Sequence, residues 1–324
     1  MKRFFLLCCL SFSLLAFAAQ EESKPAYDLV VAQDGSGDFT SIQEAIHSLR
    51  AVMTERKIVF IKKGIYREKI VVPTYCTNIT LLGEDRDNTI IRWGDHANMP
   101  IPGTETNMGT FRTYTLLVQG HGFRAQNLTI ENDAPQLGQA VALHVEGDKA
   151  SFINCRILGN QDTIFAGSET SRQYYRDCYI EGTTDFIFGS ATAYFLNCRI
   201  HCKRNSYITA PSTPEYRKYG FIFKECKVTA DEGIRVYLGR PWRPHGNTVF
   251  VQCELGACIR PEGWDNWRNP ENEKTARFYE CLNTGPGAWR EGRVSWAKNL
   301  EENALKDFTV EAVLAGKENW NPEM

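Results

Sequence analysis

One short phrase recurs along the chain and limits the folds that are open to it. Each copy places an aromatic residue three positions before a cysteine, and an apolar residue usually follows two positions after that cysteine. The copies stand roughly 20 to 28 residues apart, at 152–157, 175–180, 195–200, 223–228, 250–255 and 278–281. The segment 124–130 resembles an earlier copy with Leu128 in the cysteine position. A repeat of this period indicates a solenoid.

The composition of the copies favours coils of β-structure over helical repeats. They are rich in β-branched and aromatic residues, and Gly and Asn stand at the expected bends. Short strands cannot bury an apolar face alone, but stacked coils place equivalent positions in ladders through the interior. We therefore predict an all-β, single-stranded parallel β-helix. Small cysteines suit such a ladder, and rungs about 4.8 Å apart also permit disulfides, so their pairing stays open.

Both ends of the predicted solenoid carry helix signals. After a turn at 34–38, Ser41 and Glu44 form a capping box. An apolar stripe at helical spacing follows, made of Ile42, Ala45, Ile46 and Leu49. We expect this helix to cap the N-terminal end of the coils. A short C-terminal helix is predicted from Thr309 to Ala315, before Gly316, on the outside of the solenoid.

Composition and charge exclude several classes of protein. The chain has 324 residues, of which 43% are apolar and 23% charged, and its net charge is −2. This balance is typical of a globular protein and disfavours nucleic-acid binding, which usually requires a basic face. Residues 1–19 have the basic start and apolar centre of a cleaved signal peptide, which is too short for a membrane span. The cysteines and histidines lack zinc spacing, so we predict no metal and no cofactor.

Polar clusters occur at the expected ends of the coils. Gln139, Asp162 and Asp185 follow one another at intervals of 23 residues. Because one coil has about this length, the three side chains should lie on adjacent rungs of one face. Two aspartates so placed can act as an ionised nucleophile and a protonated acid if their surroundings separate their pKa values. The sequence contains no nucleophile-elbow or zinc-protease motif.

Six segments in a fixed order carry a more specific signal. They lie at 35–39, 64–68, 139–143, 161–163, 185–189 and 238–242. In this order they resemble the pectin methylesterase (pectinesterase) family, and the likeness runs from about residue 28 to the C-terminus. The resemblance implies a right-handed parallel β-helix with a long surface cleft. It also implies hydrolysis of the C6 methyl esters of polygalacturonate in pectin, giving free carboxylates and methanol.

The resemblance also implies a role for each residue of the polar clusters. Asp185 matches the nucleophile that forms an acyl-enzyme anhydride, and Asp162 matches the general acid that later serves as base. Gln139 and Gln161 match the amides that stabilise the oxyanion. Arg240 matches the arginine that keeps Asp185 ionised and oriented. The residues that match substrate contacts are Thr110, Gln139, Arg240, Trp242 and Trp264.

Structural explanations and other functions compete with this interpretation. The two aspartates could simply occupy turns, where Asp is common, and the arginine and tryptophan could serve packing. An esterase or thioesterase acting on an acyl substrate could use the same site, and a non-catalytic polysaccharide-binding solenoid would need no such site. Polysaccharide lyases and polygalacturonases would require other carboxylates. Arg172, Arg240 and Arg243 lie near the motifs and favour an acidic sugar.

The same features lead to expectations about domains, location and assembly. We expect one catalytic domain over 20–324, without the inhibitor-like pro-region of the longer plant forms. A signal peptide directly before that domain looks bacterial and predicts a secreted or periplasmic protein. Pectin is the expected partner. We expect a monomer, because a capped β-helix hides its edges and needs no second chain.

Overall fold

The computed structural model describes residues 27–323, so the predicted signal peptide at 1–19 lies outside the described part of the chain. Twenty-six short strands follow one another in chain order. Their bounds are β1 Leu29–Val31, β2 Lys57–Ile61, β3 Gly64–Tyr66, β4 Ile70–Val72, β5 Ile79–Gly83, β6 Thr89–Trp93, β7 Leu116–Val118, β8 Arg124–Gln126, β9 Thr129–Asn132, β10 Leu143–Val145, β11 Ala150–Ile153, β12 Arg156–Leu158, β13 Ile164–Ala166, β14 Arg172–Arg176, β15 Tyr179–Gly182, β16 Ile187–Gly189, β17 Thr192–Leu196, β18 Arg199–Cys202, β19 Tyr207–Pro211, β20 Phe221–Lys224, β21 Lys227–Ala230, β22 Tyr237–Gly239, β23 Asn247–Val251, β24 Glu254–Leu255, β25 Arg277–Cys281 and β26 Lys298–Asn299.

Helices are few and short. The α-helices are α1 Ile42–Ser48, α2 Asn272–Thr275 and α3 Val310–Leu314. Turns of 3₁₀-helix occupy Thr110–Arg112, Pro286–Ala288 and Glu302–Phe308. None of the helices within residues 27–323 is long and apolar enough to cross a membrane.

Each complete coil contributes one strand to each of three parallel sheets, and the coils at the two ends contribute to only some of them. The first sheet runs β1-β2-β5-β8-β11-β14-β17-β20-β23-β25-β26, the second β3-β6-β9-β12-β15-β18-β21-β24, and the third β4-β7-β10-β13-β16-β19-β22. Neighbouring strands pair in parallel, as β11 with β14, β12 with β15 and β13 with β16. This architecture is a right-handed parallel β-helix and confirms the predicted fold class.

The aromatic residues of the repeat stack along the inside of the first sheet. Phe152, Tyr175, Phe195, Phe223 and Phe250 are fully buried. Successive ring centroids lie 4.9, 4.5, 4.5 and 4.5 Å apart, and the ring planes are nearly parallel. Because the strands pair in register, each ring meets its equivalent on the next rung. Stacking of this kind adds to the stabilisation that comes from burial alone.

The residue before each cysteine turns the chain from the first sheet to the second. These corner residues adopt left-handed backbone with φ between 49° and 56°, at Asn127, Asn154, Asp177, Asn197, Glu225 and Gln252. Asn and Asp tolerate this conformation better than most residues. The corner aims the next side chain inward, which produces the predicted ladder of Cys155, Cys178, Cys198, Cys226 and Cys253. Leu128 is buried in the equivalent position.

The last copy of the repeat does not place its cysteine in the ladder, so the prediction of an equivalent copy at 278–281 was wrong. Cys281 pairs with Val251 and not with Cys253. The left-handed corner lies at Leu282, with φ of 51°, which is two residues later than the repeat predicts. Cys281 points to the outside of the first sheet, where it packs beneath the C-terminal segment with Val251 and Phe308. All nine cysteines among residues 27–323 are free thiols.

The N-terminal helix caps the coils as predicted, but its own capping differs. Helix α1 buries Ile42, Ala45 and Ile46 and packs against β1, β2 and β4. The hydroxyl of Ser41 accepts a hydrogen bond from the Glu44 amide at 3.3 Å. The carboxylate that completes the cap belongs to Glu68, which accepts from Ile42 N at 3.0 Å and Gln43 N at 2.9 Å. Glu68, which is distant in sequence, thus accepts from the first two helical amides, whereas the capping box predicted that Glu44 would accept from Ser41 N.

The C-terminal helix lies where the sequence predicted it. Helix α3 begins after Thr309, whose hydroxyl accepts from Ala312 N at 3.1 Å, and Gly316 beyond it has left-handed φ of 59°. Val313 and Leu314 pack on the outer face of the first sheet, beside Tyr174, Tyr194 and Ile222. This segment therefore covers an apolar sheet face that would otherwise meet water.

Candidate active site

The predicted catalytic side chains meet at the corner between the second and third sheets. Asp162 stands two residues before β13 and Asp185 two residues before β16, and these strands pair with Ile164 opposite Ile187. The equal offset puts the two carboxylates on adjacent rungs. Gln139 lies beside Gln161, since the next amide, Ala140 N, donates to Gln161 O at 3.0 Å. All four residues line one surface depression of about 240 Å³.

Both aspartates are held by unusual backbone. Asp162 has φ of 65° and Asp185 has φ of 48°, in the left-handed region that Asp tolerates. Their amides donate to the next coil, from Asp162 N to Thr184 O at 3.0 Å and from Asp185 N to Tyr207 O at 2.9 Å. The carboxylates are 8% and 6% exposed. The corner therefore fixes two acidic groups that are almost out of water.

Only one of the two carboxylates has a cation bound to it. Arg240 donates to Asp185 from Nε at 3.0 Å and from Nη2 at 2.6 Å, which is a bidentate pair. The guanidinium lies between two aromatic faces, 3.8 Å from the Tyr207 ring centroid and 3.7 Å from that of Trp267. Such stacking suits the flat, weakly hydrated guanidinium. The ion pair and the two aromatic rings therefore hold the Arg240 side chain in one position beside Asp185.

This asymmetry separates the two carboxyl groups electrostatically. Burial raises the pKa of Asp162 well above its ordinary value, the charge of Asp185 raises it further, and Arg240 opposes both effects. Burial also raises the pKa of Asp185, but there the hydrogen bonds and charge of Arg240 act directly against it, while Asp265 adds a small upward effect. The pKa of Asp162 is raised more than that of Asp185, so Asp185 ionises before Asp162 as the pH rises.

The two glutamines and an apolar floor complete the depression. No residue among 27–323 forms a hydrogen bond with the side-chain amide of Gln139 or Gln161, so both amides are available to a bound molecule. The floor comes from the outward column of the third sheet, where Phe165 lies opposite Phe188. Trp242 packs edge-on against Phe188 at 5.7 Å between centroids. Arrays of fixed amide donors beside an apolar surface suit an ester carbonyl and its alkyl group.

The structure brings together seven of the eight predicted site residues. Thr110 and Trp242 line the depression with the aspartates, the glutamines and Arg240. Trp264 does not, so its prediction as a sugar wall was wrong. It is 1% exposed, stacks on Phe278 at 4.4 Å and donates to Glu280 at 3.2 Å inside the core.

Three aromatic residues of the site were missed from the sequence. Phe188 falls within the 185–189 segment, and strand alternation from the inward Ile187 would have pointed it outward. Phe111 directly follows Thr110 and lies 4.9 Å from the Phe165 ring. Trp267 lies three residues after Trp264, and only the fold brings it over Arg240, so no local signal could have chosen between the two tryptophans.

The site has no grouping of metal ligands. Within residues 27–323, no cluster of three or more His, Cys, Asp or Glu side chains is placed to hold a metal ion.

Comparison with known proteins places these residues in a family. The sequence profile of the pectinesterase family matches residues 28–317. The chain is 41% identical to pectinesterase 31 of Arabidopsis thaliana over 288 residues, which cover 86% of this chain and 89% of that protein. It spans 52% of the longer probable pectinesterase/pectinesterase inhibitor 6 of the same plant, also at 41% identity.

Solved structures give the same result. A pectin methylesterase from carrot superposes with a TM-score of 0.84 at 33% identity, over 92% of this chain and 96% of that one. An aspartate-to-alanine mutant of a pectin methylesterase, solved in complex with a hexasaccharide, superposes with a TM-score of 0.81 at 29% identity. That comparison covers 93% of this chain and all of the other.

Proposed function

This chain belongs to the pectinesterase family of carboxylic ester hydrolases, and we propose that it demethylates pectin with Asp185 as nucleophile and Asp162 as proton carrier. The observation that carries the proposal is the asymmetric pair of buried carboxylates, of which only Asp185 is bound by Arg240. A mechanism with a carboxylate nucleophile and a carboxylic-acid proton donor needs one ionised and one protonated carboxyl group. The environment of this pair supplies both.

In the first half of the reaction, an oxygen of Asp185 attacks the C6 carbonyl carbon of a methylated galacturonate. The carbonyl oxygen becomes an oxyanion, and Gln139 and Gln161 donate their amides to it. When the tetrahedral intermediate collapses, the bond to the methoxy oxygen breaks. Asp162 gives its proton to that oxygen, and methanol leaves behind an anhydride between the sugar and Asp185.

In the second half, the roles of the proton carrier are reversed. Asp162, now ionised, takes a proton from a water molecule as the water oxygen attacks the same carbonyl carbon. The anhydride bond to Asp185 breaks, the sugar leaves as a free carboxylic acid, and Asp185 returns as a carboxylate beside Arg240. Every proton that Asp162 loses is thereby regained, and no other reactant besides water is required.

Pectin as substrate is supported by the walls of the site and by the relatives. Trp242 is half-buried and lines the depression with an aromatic side chain of the kind that packs on sugar rings. Arg243 next to it places its guanidinium 4.8 Å from the Trp242 ring. Arg172 takes no part, because Asp148 and the C-terminal segment bind it away from the depression. A related pectin methylesterase binds a hexasaccharide in its crystal structure, and we carry this class of ligand over to the present cleft.

One observation supports a different substrate for the same chemistry. Phe111, Phe165 and Phe188 form a connected aromatic floor with centroid distances of 4.9 Å between neighbours. Such a floor would also accept an acyl ester or thioester. A non-catalytic polysaccharide-binding solenoid has less support, because binding alone requires neither the paired aspartates nor the free amides.

The test is methanol release from highly methylated pectin by the purified chain without residues 1–19. We expect release that a chelator does not affect. Absence of methanol together with cleavage of an acyl ester or thioester would replace pectin with the second substrate class. Absence of all three activities would contradict the proposed chemistry. We further propose that the protein is secreted or periplasmic and monomeric, which cell fractionation and light scattering of the purified protein would check.

A further inference from the structure

A column of basic side chains lies on the outer face of the second sheet. Arg156, Tyr179, Arg199 and Lys227 follow one another directly across β12, β15, β18 and β21. The guanidinium carbons of Arg156 and Arg199 lie 5.8 and 6.0 Å from the Tyr179 ring centroid. The ring therefore separates two cations that would otherwise repel each other, and it holds them about 10 Å apart, which is two rungs.

The two arginines of this column are not balanced locally, whereas Lys227 is paired with Glu254 at 2.7 Å. Arg199 is exposed, and no carboxylate among residues 27–323 lies within ion-pair distance of it. Arg156 shares Asp87 with Arg86, at 3.4 and 3.5 Å. Arg156, Tyr179 and Arg199 line a groove of about 670 Å³ together with Arg86, Asp87, Asp177 and Asn197. Three arginines thus face two aspartates.

This groove is separate from the catalytic depression. It begins at the asparagine corners, whereas the catalytic residues stand at the other end of the second-sheet strands. Arg156 and Asp162 are six residues apart, which is at most about 20 Å of extended chain. Both features run along the axis of the β-helix, because each is built from equivalent positions on successive coils. No step of the reaction proposed above uses the basic column.

We propose that this groove binds demethylated galacturonan, a chain of uronic acid sugars with a free carboxylate on each residue. The ligand class is taken from the proposed function, whose product is such a chain. Arg156 and Arg199 would bind carboxylates of two nearby sugars, and the corner amide of Asn197 would bind a hydroxyl. The methylated substrate has no charge at these positions and would bind poorly. The protein would therefore remain attached to stretches of polymer that it has already demethylated.

The experiment measures the binding of a long, fully demethylated galacturonate oligomer at low salt. The test variant is Arg156→Gln with Arg199→Gln. The matched control is Lys218→Gln with Lys274→Gln, which removes two charges from exposed side chains elsewhere. We expect about 5-fold weaker binding in the test variant only, since exposed charge pairs are individually weak. The difference should vanish at high salt, because exposed charges are screened.

Two further measurements separate the possible outcomes. The first is methanol release from a short methylated oligomer that occupies only the cleft, which all three proteins should catalyse at the same rate. A slower rate in the test variant would mean that the two arginines act on the cleft, and it would overturn the proposal. Equal oligomer binding by all three, or equally tight binding of polyglutamate by the wild type, would also overturn it. If the wild type released no methanol but the binding difference persisted, the proposed function would fail and the groove would stand.

Discussion

Two sets of aspartate-bearing corners on the same coils have the same backbone but different surroundings. Asp177, at the corner between the first and second sheets, has φ of 56°, and Asp185, at the next corner of that coil, has φ of 48°. Asp177 is exposed and accepts a hydrogen bond from Asn197 at 2.6 Å. Asp185 is buried and bound by Arg240. Residue type and local conformation therefore do not distinguish a structural aspartate from a catalytic one.

The difference arises from what the neighbouring coils place beside each corner. At the first corner the repeat continues, so each polar side chain meets its equivalent, as Asn154 meets Asn127 at 2.8 Å. At the second corner, successive coils supply an amide from Gln139 and carboxyls from Asp162 and Asp185, and Arg240 binds Asp185 from the end of β22. Repeated positions stabilise the solenoid, and the side chains that differ between coils form the depression.

The test with the largest expected effect compares the activities of the variants Asp185→Asn and Asp177→Asn. We expect the first change to lower the rate of methanol release from methylated pectin by about 10⁴-fold or more, because it removes the proposed nucleophile. The second removes the same charge from an equivalent backbone position and should leave the rate nearly unchanged. Circular dichroism should show the same fold for both. Comparable losses in the two variants would mean that these corners act through structure alone.

A second test uses two bidentate arginine–aspartate pairs. Arg240 binds Asp185 in the site, and Arg172 binds Asp148 beneath the C-terminal segment with distances of 3.0 and 2.6 Å. Arg240→Gln should lower kcat by about 10²-fold. It should also move the acidic limb of the pH–rate profile to higher pH, because Arg240 lowers the pKa of Asp185.

The control for that test is Arg172→Gln. This change should lower the melting temperature, since Arg172 also donates to the carbonyl of Ala315 at 3.0 Å and so holds the C-terminal segment. It should leave the pH–rate profile where it was. An acidic limb that does not move in Arg240→Gln would exclude Arg240 as the group that keeps Asp185 ionised.

The third test compares Trp242, which lines the depression, with Trp264, which is buried in the core. Trp242→Ala should raise KM roughly 5-fold with little change in stability, because it removes a wall of the cleft. Trp264→Ala should instead lower the free energy of unfolding by about 3–5 kcal/mol, because it empties a core site. Pectin kinetics and denaturant unfolding of both variants check this. A raised KM in a stable Trp264 variant would return that residue to the site.

The arrangement of the coils and of the two aspartates could be predicted from the sequence, because both follow the repeat. The aromatic and cysteine phrase predicts the coils, and the 23-residue spacing places Asp162 and Asp185 on adjacent rungs. The sequence could not show where the repeat ends, since Cys281 follows an aromatic residue at the usual distance yet pairs with Val251. The pairing of the last coil is shifted by two residues relative to the repeat, so Cys281 lies within β25, before the corner and not after it.

Contacts between segments that are distant in sequence could not be predicted either. The carboxylate that completes the cap of α1 comes from Glu68, and the ring that covers Arg240 comes from Trp267. Neither follows from spacing, because both depend on how loops of different coils pack. The resemblance of segment 64–68 to a family motif marked Glu68 as notable without giving a reason. Its hydrogen bonds to the first turn of α1 now supply that reason.

The smallest expected effect concerns the stability cost of the buried acid. The pKa of Asp162 is raised in the folded protein, so its contribution to stability is present below the ordinary Asp pKa and is lost as pH rises through the folded value. Asp162→Asn removes this cost and keeps a residue that tolerates left-handed backbone. We expect the variant to melt about 2–5 °C above the wild type near neutral pH.

This gap should close as the pH falls, because the wild-type carboxyl then becomes protonated and resembles the amide. Asp177→Asn, on the exposed corner, should show no such pH-dependent gap. Calorimetry of the three proteins across acidic and neutral pH checks this. An Asp162→Asn variant that is less stable than the wild type at neutral pH would mean that the charge at this corner is stabilised in the fold, and Asp162 would then be unable to act as the proton donor.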